Sequence, residues 1–488
     1  MNDHRQKTTR AIGWVLGSNT VSQIISFIFG IVLARLLTPE DFGMIAMTLA
    51  IIGVAGLLSD FGMGAALVHL KNTHSSHYNS IFWLNSGIGL TLTVIIFLFS
   101  EMIANFYGIP DLEKITKTLS ICFVINAMTL VPRQRLVKQI EFRALAITDF
   151  SSMAISAIVA ILCAMHDYGY WSLVIQQIVR ASVNLMLSTM FAKWLPRLEF
   201  SIEATRQLFS FSINVFFISL VQYAGSQADK LIVGKFLGAE ATGLYDKAGA
   251  LMMVPVKSTS HAVGSVLFPA FSQIQDDKVK IASIFTRAIS AVSLITFPMM
   301  LGLLITADNL VSVILGPQWL EVIPILKILC FCGLAISVGT MSGSIYLSQG
   351  RTDLQLKVNL VTQAIRITAI ACGVPWGVIG VTIGFSIGTF ISIVVSWIVA
   401  GNIIQLSLFT IIKTLLPNLI LATLMALSLY LLEATFPFIE AGMHPAGYLL
   451  TQTITGMLCY TLLLIIFKPP GFKDILEVLH LDFNIGKK

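Results

Sequence analysis

The stretch NSIFWLNSGIGLTLTVIIFLFSEMIANFY, residues 79–107, decides the fold class of this chain. Its only charged residue is Glu101, and it exceeds the roughly 20 apolar residues that a helix needs to cross the hydrocarbon of a bilayer. Runs of the same kind recur along all 488 residues, of which 56% are hydrophobic and 11% are charged. A water-soluble chain of this length cannot hide so much apolar surface, so the bilayer must be its solvent.

These runs predict an all-α polytopic membrane protein with about fourteen transmembrane helices. Most of the 31 Lys and Arg fall in one alternating set of loops, and the opposite set holds only Arg35, Lys114, Lys117 and Lys235. Because cytoplasmic loops are enriched in basic residues, the pattern predicts an inner-membrane protein with both termini in the cytoplasm. The predicted spans are 11–37, 42–70, 79–107, 115–137, 145–165, 170–194, 208–237, 242–271, 281–307, 323–349, 354–375, 378–403, 409–434 and 447–467.

An internal repeat links the first and second halves of the chain. The segments ARLLTPEDFG (34–43) and GKFLGAEATG (234–243) match at Arg35/Lys235, Leu37/Leu237, Glu40/Glu240 and Gly43/Gly243. Six predicted helices separate the copies, which predicts two lobes of the same orientation with a substrate site between them near the midplane. The alternative is that helical hairpins recruit glycine and other small residues anyway. The predicted division is 1–200 and 201–403 for the lobes, 404–467 for helices 13 and 14, and 468–488 for a cytoplasmic tail.

Charged residues inside the spans point to a functional site. A charge at the centre of a membrane helix costs about 2.5–3.5 kcal/mol, so it must face protein or a water-filled cavity. Predicted helices six and eleven each carry a polar stripe, a set of charged and amide side chains on one face of the helix. The stripe on helix six contains Gln176, Arg180 and Asn184, and the stripe on helix eleven contains Asn359, Gln363 and Arg366. Stripes of this kind also form hydrogen-bonded helix contacts. We predict a cation-lined substrate cavity formed by Arg180, Lys257, Arg366, Gln176, Asn184, Asn359 and Gln363. Asp60 and Asp229 are the predicted groups for a coupling ion.

The sequence argues against an enzyme. The loops between spans are at most as long as residues 308–322, which leaves no room for a folded domain outside the membrane. The chain has no phosphate-cradling Gly-rich motif and no cluster with the spacing of metal ligands. We therefore expect no catalysis, no cofactor, no metal and no nucleic-acid partner.

Several short motifs give the chain a family resemblance. They are ARLLTPEDFG (34–43), LSDFG (58–62), DKLIVGKFLG (229–238), GLYDKA (243–248), LGPQWL (315–320) and QGRTD (349–353). In order and spacing, the set resembles the polysaccharide-transport branch of the multidrug/oligosaccharidyl-lipid/polysaccharide (MOP) flippase superfamily, and within it the lipopolysaccharide, colanic-acid and teichuronic-acid exporter type.

The resemblance implies two six-helix lobes in a V, with helices 13 and 14 outside them. It implies export of undecaprenyl-diphosphate-linked oligosaccharide repeat units to the periplasmic leaflet by alternating access, for lipopolysaccharide or exopolysaccharide biosynthesis. The expected partners are this lipid-linked oligosaccharide, membrane lipids, a coupling H⁺ or Na⁺ and the polysaccharide polymerase machinery. The alternative is a multidrug or cation antiporter of the same superfamily, which would require an acidic midplane rather than a basic one.

Overall fold

The computed structural model describes residues 22–23, 25–60, 63–64, 67, 75–435, 444–469 and 471–472, with side chains omitted at 57–60, 202–219, 221–222, 224, 261–262 and 265. These residues form helices and two short 3₁₀ turns, and no strand occurs among them, so the all-α prediction is confirmed. The helices are α1 (Ile25–Leu36), α2 (Pro39–Asp60), α3 (Ser75–Tyr107), α4 (Asp111–Lys138), α5 (Phe142–Met165), α6 (Tyr170–Ala192), α7 (Ile202–Gln273), α8 (Lys278–Ile314), α9 (Val322–Gly339), α10 (Ser342–Ser348), α11 (Thr352–Gly373), α12 (Gly377–Ile404), α13 (Leu408–Thr435) and α14 (Pro445–Phe467).

Many large apolar side chains are exposed on the helices while several polar side chains are buried, as expected for a bundle in lipid. On α3, Leu98 is 71% exposed and Met102 is 64% exposed, whereas Asn85 on the same helix is fully buried. The Asn85 amide donates to the carbonyl of Ala127 on α4 at 3.3 Å. Hydrocarbon gives no gain for hiding a leucine, so helices in a membrane associate through close packing and polar contacts of this kind.

Where the predicted spans fall on described residues, they match these helices with two differences in continuity. Residues 11–21 of predicted span one and most of 61–70 of predicted span two lie outside the described residues. Among the described residues, nine helical segments are long and apolar enough to cross a membrane, so the count of about fourteen stays a prediction. Predicted spans seven and eight form the single element α7, which is interrupted at Gly238 where φ is +87°. Predicted span ten is broken at Thr340 into α9 and the short α10.

The chain divides into two compact units, Met1–Gly243 and Leu244–Lys488. Each unit contains the same sequence of backbone junctions between its helices. Residues with positive φ end or begin corresponding helices as the pairs Gly108/Gly316, Ile140/Gly350, Gly169/Gly377 and Lys193/Gln405. Junctions shared in order and position support the parallel repeat. The lobe boundaries at 200/201 and 403/404 stay predictions.

The two copies of the repeated segment contact each other reciprocally within the first unit. A Cβ built on Gly43 would overlap the carbonyl of Ala239, and a Cβ built on Gly243 would overlap the carbonyl of Pro39. Each of these Cβ atoms would also lie 3.0 Å from the amide nitrogen of the other glycine. Glycine is therefore required at both positions because the first turn of α2 crosses the start of the second arm of α7 backbone to backbone.

The last two helices are joined to α8 by buried polar contacts in the second unit. The Asn418 amide on α13 donates to the Ser290 carbonyl at 2.9 Å and to the Ser293 hydroxyl at 2.8 Å. The Tyr460 hydroxyl on α14 donates to the Leu294 carbonyl at 2.7 Å. These bonds explain how helices outside the predicted repeat stay attached to it.

We predict that Gly43→Ala destabilises the protein because the added methyl group must displace the Ala239 carbonyl. Overpacking of this kind costs about 1–3 kcal/mol. The control is Gly30→Ala on α1, where the Cβ meets no described atom within 4 Å. Gly30→Ala should leave stability unchanged or raise it by up to about 1 kcal/mol, as measured by unfolding in mixed detergent micelles. Equal stability of the two variants would refute the close crossing.

We also predict that Asn418→Ala lowers the free energy of unfolding by about 1–2 kcal/mol, because a buried amide that makes interhelical hydrogen bonds is lost. The matched control is Asn402→Ala on α12, where the asparagine is exposed. We expect the control to change stability by less than about 0.5 kcal/mol in the same unfolding assay. A cost at Asn402 equal to that at Asn418 would remove the assigned role of the buried contact.

Candidate functional site

The polar stripe predicted on helix six lies on α6 in the first unit. Gln176 and Asn184 are half-buried and Arg180 between them is exposed. Asn184 accepts a hydrogen bond from the Ser188 hydroxyl, one turn further along the helix, at 3.1 Å. Arg180 lies near the middle of Tyr170–Ala192, about 15 Å along the axis from either end, and has no carboxylate partner among the described residues.

Lys257 lies near the middle of the second arm of α7, which is the part of that helix after Gly238. The residue belongs to the second unit. It is exposed, and no described carboxylate pairs with it. It lies two residues after Pro255, whose carbonyl accepts from the hydroxyls of Ser258 and Thr259 at 2.9 Å. Since proline has no backbone N–H, the helix lacks one of its hydrogen bonds at Pro255, two residues before this cation.

Of the three predicted cations, Arg366 on α11 has the most described side-chain contacts. Its guanidinium donates to the side-chain carbonyl of Gln363 and lies 5.8 Å from the ring centroid of Phe385 on α12. Phe385 in turn meets Tyr245 edge to face, with 6.2 Å between ring centroids. Gly388 allows this approach, because a Cβ there would lie 2.9 Å from the Arg366 Cα. Asn359, two turns earlier on α11, is exposed.

The predicted coupling acids are less fully described. Asp229 is half-buried on the first arm of α7, and its carboxylate accepts from the backbone amide of the adjacent Lys230 at 2.9 Å. The side chain of Asp60, the last residue of α2, lies outside the described residues. A role for either acid in ion coupling stays a prediction.

Two other acids of the spans are paired with bases. The two carboxylate oxygens of Asp149 on α5 accept hydrogen bonds from the two terminal guanidinium nitrogens of Arg133 on α4, at 2.7 and 2.9 Å. Asp308 on α8 lies 2.6 Å from the Lys327 ammonium on α9. Bidentate and close pairs of this kind cancel charge locally. The described spans thus hold neutralised acids together with the cations Arg180 and Lys257, for which the described residues provide no carboxylate.

The structure brings Arg366 and Gln363 into contact, and it gives Arg366 an aromatic partner that the sequence did not predict. Phe385 lies on the small-residue face of α12 between Gly384 and Gly388, so it reads as packing when only the sequence is available. The reciprocal contact of Gly43 and Gly243 was also missed. Their match in the repeat was the only available signal, and it did not indicate that the copies touch.

The sequence relationship to known proteins covers most of the chain. The "Lipopolysaccharide biosynthesis protein WzxC" of Escherichia coli K12 is 30% identical over 398 residues, which cover 80% of this chain and 80% of that protein. Residues 32–324 match the family described as "Polysaccharide biosynthesis protein". The match includes the cations Arg180 and Lys257 and ends before Arg366.

Solved structures share the fold. The lipid II flippase MurJ in an inward closed conformation superposes with a TM-score of 0.75 at 15% identity, covering 94% of this chain and 99% of MurJ. An inward-facing multidrug resistance MATE family transporter of the MOP superfamily gives a TM-score of 0.63 at 13% identity, covering 78% of this chain and 94% of the transporter. The fold therefore belongs to flippases and drug transporters alike, and the site must separate the two functions.

The family match spans more than half of the chain, and the identity to a curated relative extends over four-fifths of both sequences. This protein therefore belongs to the family described as "Polysaccharide biosynthesis protein".

Proposed function

We propose that this protein is a flippase that moves undecaprenyl-diphosphate-linked oligosaccharide repeat units from the cytoplasmic to the periplasmic leaflet of the bacterial inner membrane. The exported units would serve lipopolysaccharide or exopolysaccharide biosynthesis. Transport would proceed by alternating access between two lobes of the same orientation. The basic residues of one alternating set of loops support cytoplasmic termini.

One observation carries this proposal: arginine and lysine side chains lie at mid-helix without a described counter-charge. Arg180 and Lys257 are both exposed, and each is about half a helix length from the ends of its arm. A bare cation at such depth costs about 2.5–3.5 kcal/mol on the insertion scale. Water in a cavity removes part of this cost, and an anionic ligand removes more of it. A transport site for an anion is therefore the function that best fits these residues.

The charge and shape of a lipid diphosphate suit the predicted site. Two linked phosphates carry several acceptor oxygens, which the planar guanidinium groups of Arg180 and Arg366 would bind in bidentate fashion. Arg366 is held toward its ligand by Gln363 and the face of Phe385, so less side-chain freedom is lost on binding. The amides of Gln176, Asn184 and Asn359 would donate to and accept from sugar hydroxyls.

The antiporter alternative fits the charges less well. A site for a cationic drug requires a carboxylate that is available at mid-depth. In the described spans, Asp149 is neutralised by Arg133 and Asp308 by Lys327. Deletion of the gene should accordingly leave resistance to cationic dyes unchanged, and a clear loss of resistance would favour the antiporter.

We predict that charge reversal of the site abolishes export. Arg180→Glu and Arg366→Glu should each reduce surface polymer in a complemented deletion strain by at least about tenfold, because each removes a charged hydrogen bond worth about 1.5–3 kcal/mol. Undecaprenyl-linked repeat units should accumulate on the cytoplasmic leaflet. The measurement is the leaflet distribution of the lipid-linked units in spheroplasts, together with the amount of exported polymer.

The control variant is Lys278→Glu, which reverses an exposed charge at the start of α8 and lies outside the predicted site. It should export like the unmodified protein. All variants must be present in the membrane at similar amounts. Normal export by both arginine variants would exclude the cavity from substrate transport, while normal leaflet distribution in the deletion strain would exclude flipping itself.

A further inference from the structure

The segment that joins α6 to α7 is attached to the first turns of α3 by four hydrogen bonds. Asn79 donates to the Glu199 carboxylate at 3.0 Å and accepts from the Arg197 amide at 3.2 Å. The Trp83 indole donates to the Arg197 carbonyl at 2.8 Å, and the Ser201 amide donates to the Ser80 hydroxyl at 2.7 Å. Asn79 and Ser80 are buried. These hydrogen bonds fix the segment 193–201 against α3 in the first unit.

A basic pocket of about 640 Å³ lies between this segment, α6 and α3. We call it the head-group pocket, and its polar lining consists of Ser75, Asn79, Thr189, Lys193, Trp194 and Arg197. The described lining residues include no acid, and the carboxylate of Glu199 accepts from the lining residue Asn79. Its volume falls in the range of about 300–1,000 Å³ that is typical of small-molecule sites.

Further positive charge lies behind the pocket wall. The Arg135 guanidinium on α4 is 5.7 Å from the ring centroid of Trp194 and 5.2 Å from that of Tyr78. Trp194 is braced from another side by Phe82, with 5.7 Å between ring centroids. The pocket therefore combines two exposed cations, an aromatic wall of fixed orientation and amide and hydroxyl groups, which together suit a phosphate ester.

An apolar groove lies beside the same segment, further along α3, and its residue Trp83 is hydrogen-bonded to the carbonyl of the pocket residue Arg197. It has a volume of about 630 Å³ and is lined by Trp83, Leu84, Gly87, Ile88, Thr91, Leu92 and Phe200. It follows α3 from Trp83 to Thr91, about 12 Å along the helix axis. A Cβ on Gly87 would meet no described atom within 4 Å, so the glycine leaves the groove open. We call this feature the tail groove.

The surroundings of the tail groove are those of a surface in contact with lipid. Leu90 and Leu98 on α3 are 56% and 71% exposed. In the segment that closes the pocket, Leu198 is 90% exposed. Trp83 stands at the boundary, with its indole nitrogen bonded to the polar segment and its ring in the groove, as is usual for tryptophan at a membrane interface.

We propose that the head-group pocket and the tail groove together bind an anionic phospholipid of the cytoplasmic leaflet, with its phosphate on Lys193 and Arg197 and one acyl chain along α3. Basic pockets between membrane helices on the cytoplasmic side are suited to anionic head groups. The pocket residues Ser75 and Arg197 belong to loops that the basic residues place in the cytoplasm. The occupant is a bilayer lipid because the groove opens onto exposed apolar side chains of α3. This site is independent of the transport cavity proposed above.

The test is lipid retention by the purified full-length protein, measured by native mass spectrometry. Phosphatidylglycerol, phosphatidylcholine and undecaprenyl diphosphate are the competing probes. The variant is Lys193→Gln with Arg197→Gln, which leaves the backbone bonds of Arg197 to Asn79 and Trp83 in place. The matched control is Lys278→Gln with Lys280→Gln, which removes the same charge from exposed positions on α8.

Phosphatidylglycerol should be retained in preference to phosphatidylcholine by the unmodified protein and by the control. The Lys193/Arg197 variant should bind it about thirtyfold more weakly, since each basic residue contributes about fivefold near a charged head group. Equal retention by both double variants would overturn the proposal. Preferential retention of undecaprenyl diphosphate through the same two residues would assign the pocket to the transported lipid and would also overturn it.

A second variant tests the tail groove separately. Gly87→Leu fills the groove and should weaken retention of long-chain phosphatidylglycerol, whereas Gly264→Leu should not, although a Cβ there also meets no described atom within 4 Å. Leucine is a better helix former than glycine, so loss of folding is not expected at either position. Unchanged retention in Gly87→Leu would remove the acyl chain from this groove. Because all variants leave Arg180, Lys257 and Arg366 intact, these outcomes are distinct from failure of the proposed transport.

Discussion

The absence of water in hydrocarbon is the constraint on which the whole structure depends. Every backbone group in a span must find its partner inside its own helix, so the protein is a set of helices with short junctions. The same constraint acts on side chains. Asn418 and Tyr460 are placed where they reach a carbonyl of α8, and Asp149 is placed where it meets Arg133. Cations without such a partner are costly at mid-helix, and this cost is the physical basis of the anion site that we propose.

Charged side chains in the described spans occur in two different arrangements. Asp149 on α5 and Asp308 on α8 are each paired with a base on a neighbouring helix, so the two charges of each pair offset one another. Arg366 shows another arrangement, in which an amide and an aromatic ring orient a cation without neutralising it. This distinction matters for a transporter, because a site whose charges are already paired has no net positive charge to attract an anionic substrate.

Much of the fold could be predicted from the sequence because span length and apolar composition are dictated locally. The segment 79–107 is recognisable by itself, and its helix extends over Ser75–Tyr107. Continuity was harder to predict: whether Gly238 ends a helix or bends one depends on packing around it, and the break at Thr340 follows a glycine that also occurs inside intact helices. The boundaries of α7 and α9 therefore differ from those predicted.

The candidate site was predictable only in part. Helical periodicity placed Gln176, Arg180 and Asn184 on one face because the repeat of an α-helix is fixed. The contact of Arg366 with Phe385 joins residues on different helices, and nothing in the spacing of either helix identifies its partner. The head-group pocket was missed for another reason. The segment 193–201 reads as an ordinary short loop, and its role depends on bonds to Asn79 and Trp83, which lie far away in the chain.

The crossing of Gly43 and Gly243 has a consequence for how this protein is able to evolve. In most helix contacts, a larger side chain on one partner is accommodated by a smaller one on the other. Here both partners already carry the smallest residue, and each faces a main-chain carbonyl that no substitution removes. Neither glycine can be replaced by a smaller residue. Both copies of the repeated segment are therefore restricted to glycine at this crossing, whatever substitutions occur elsewhere in them.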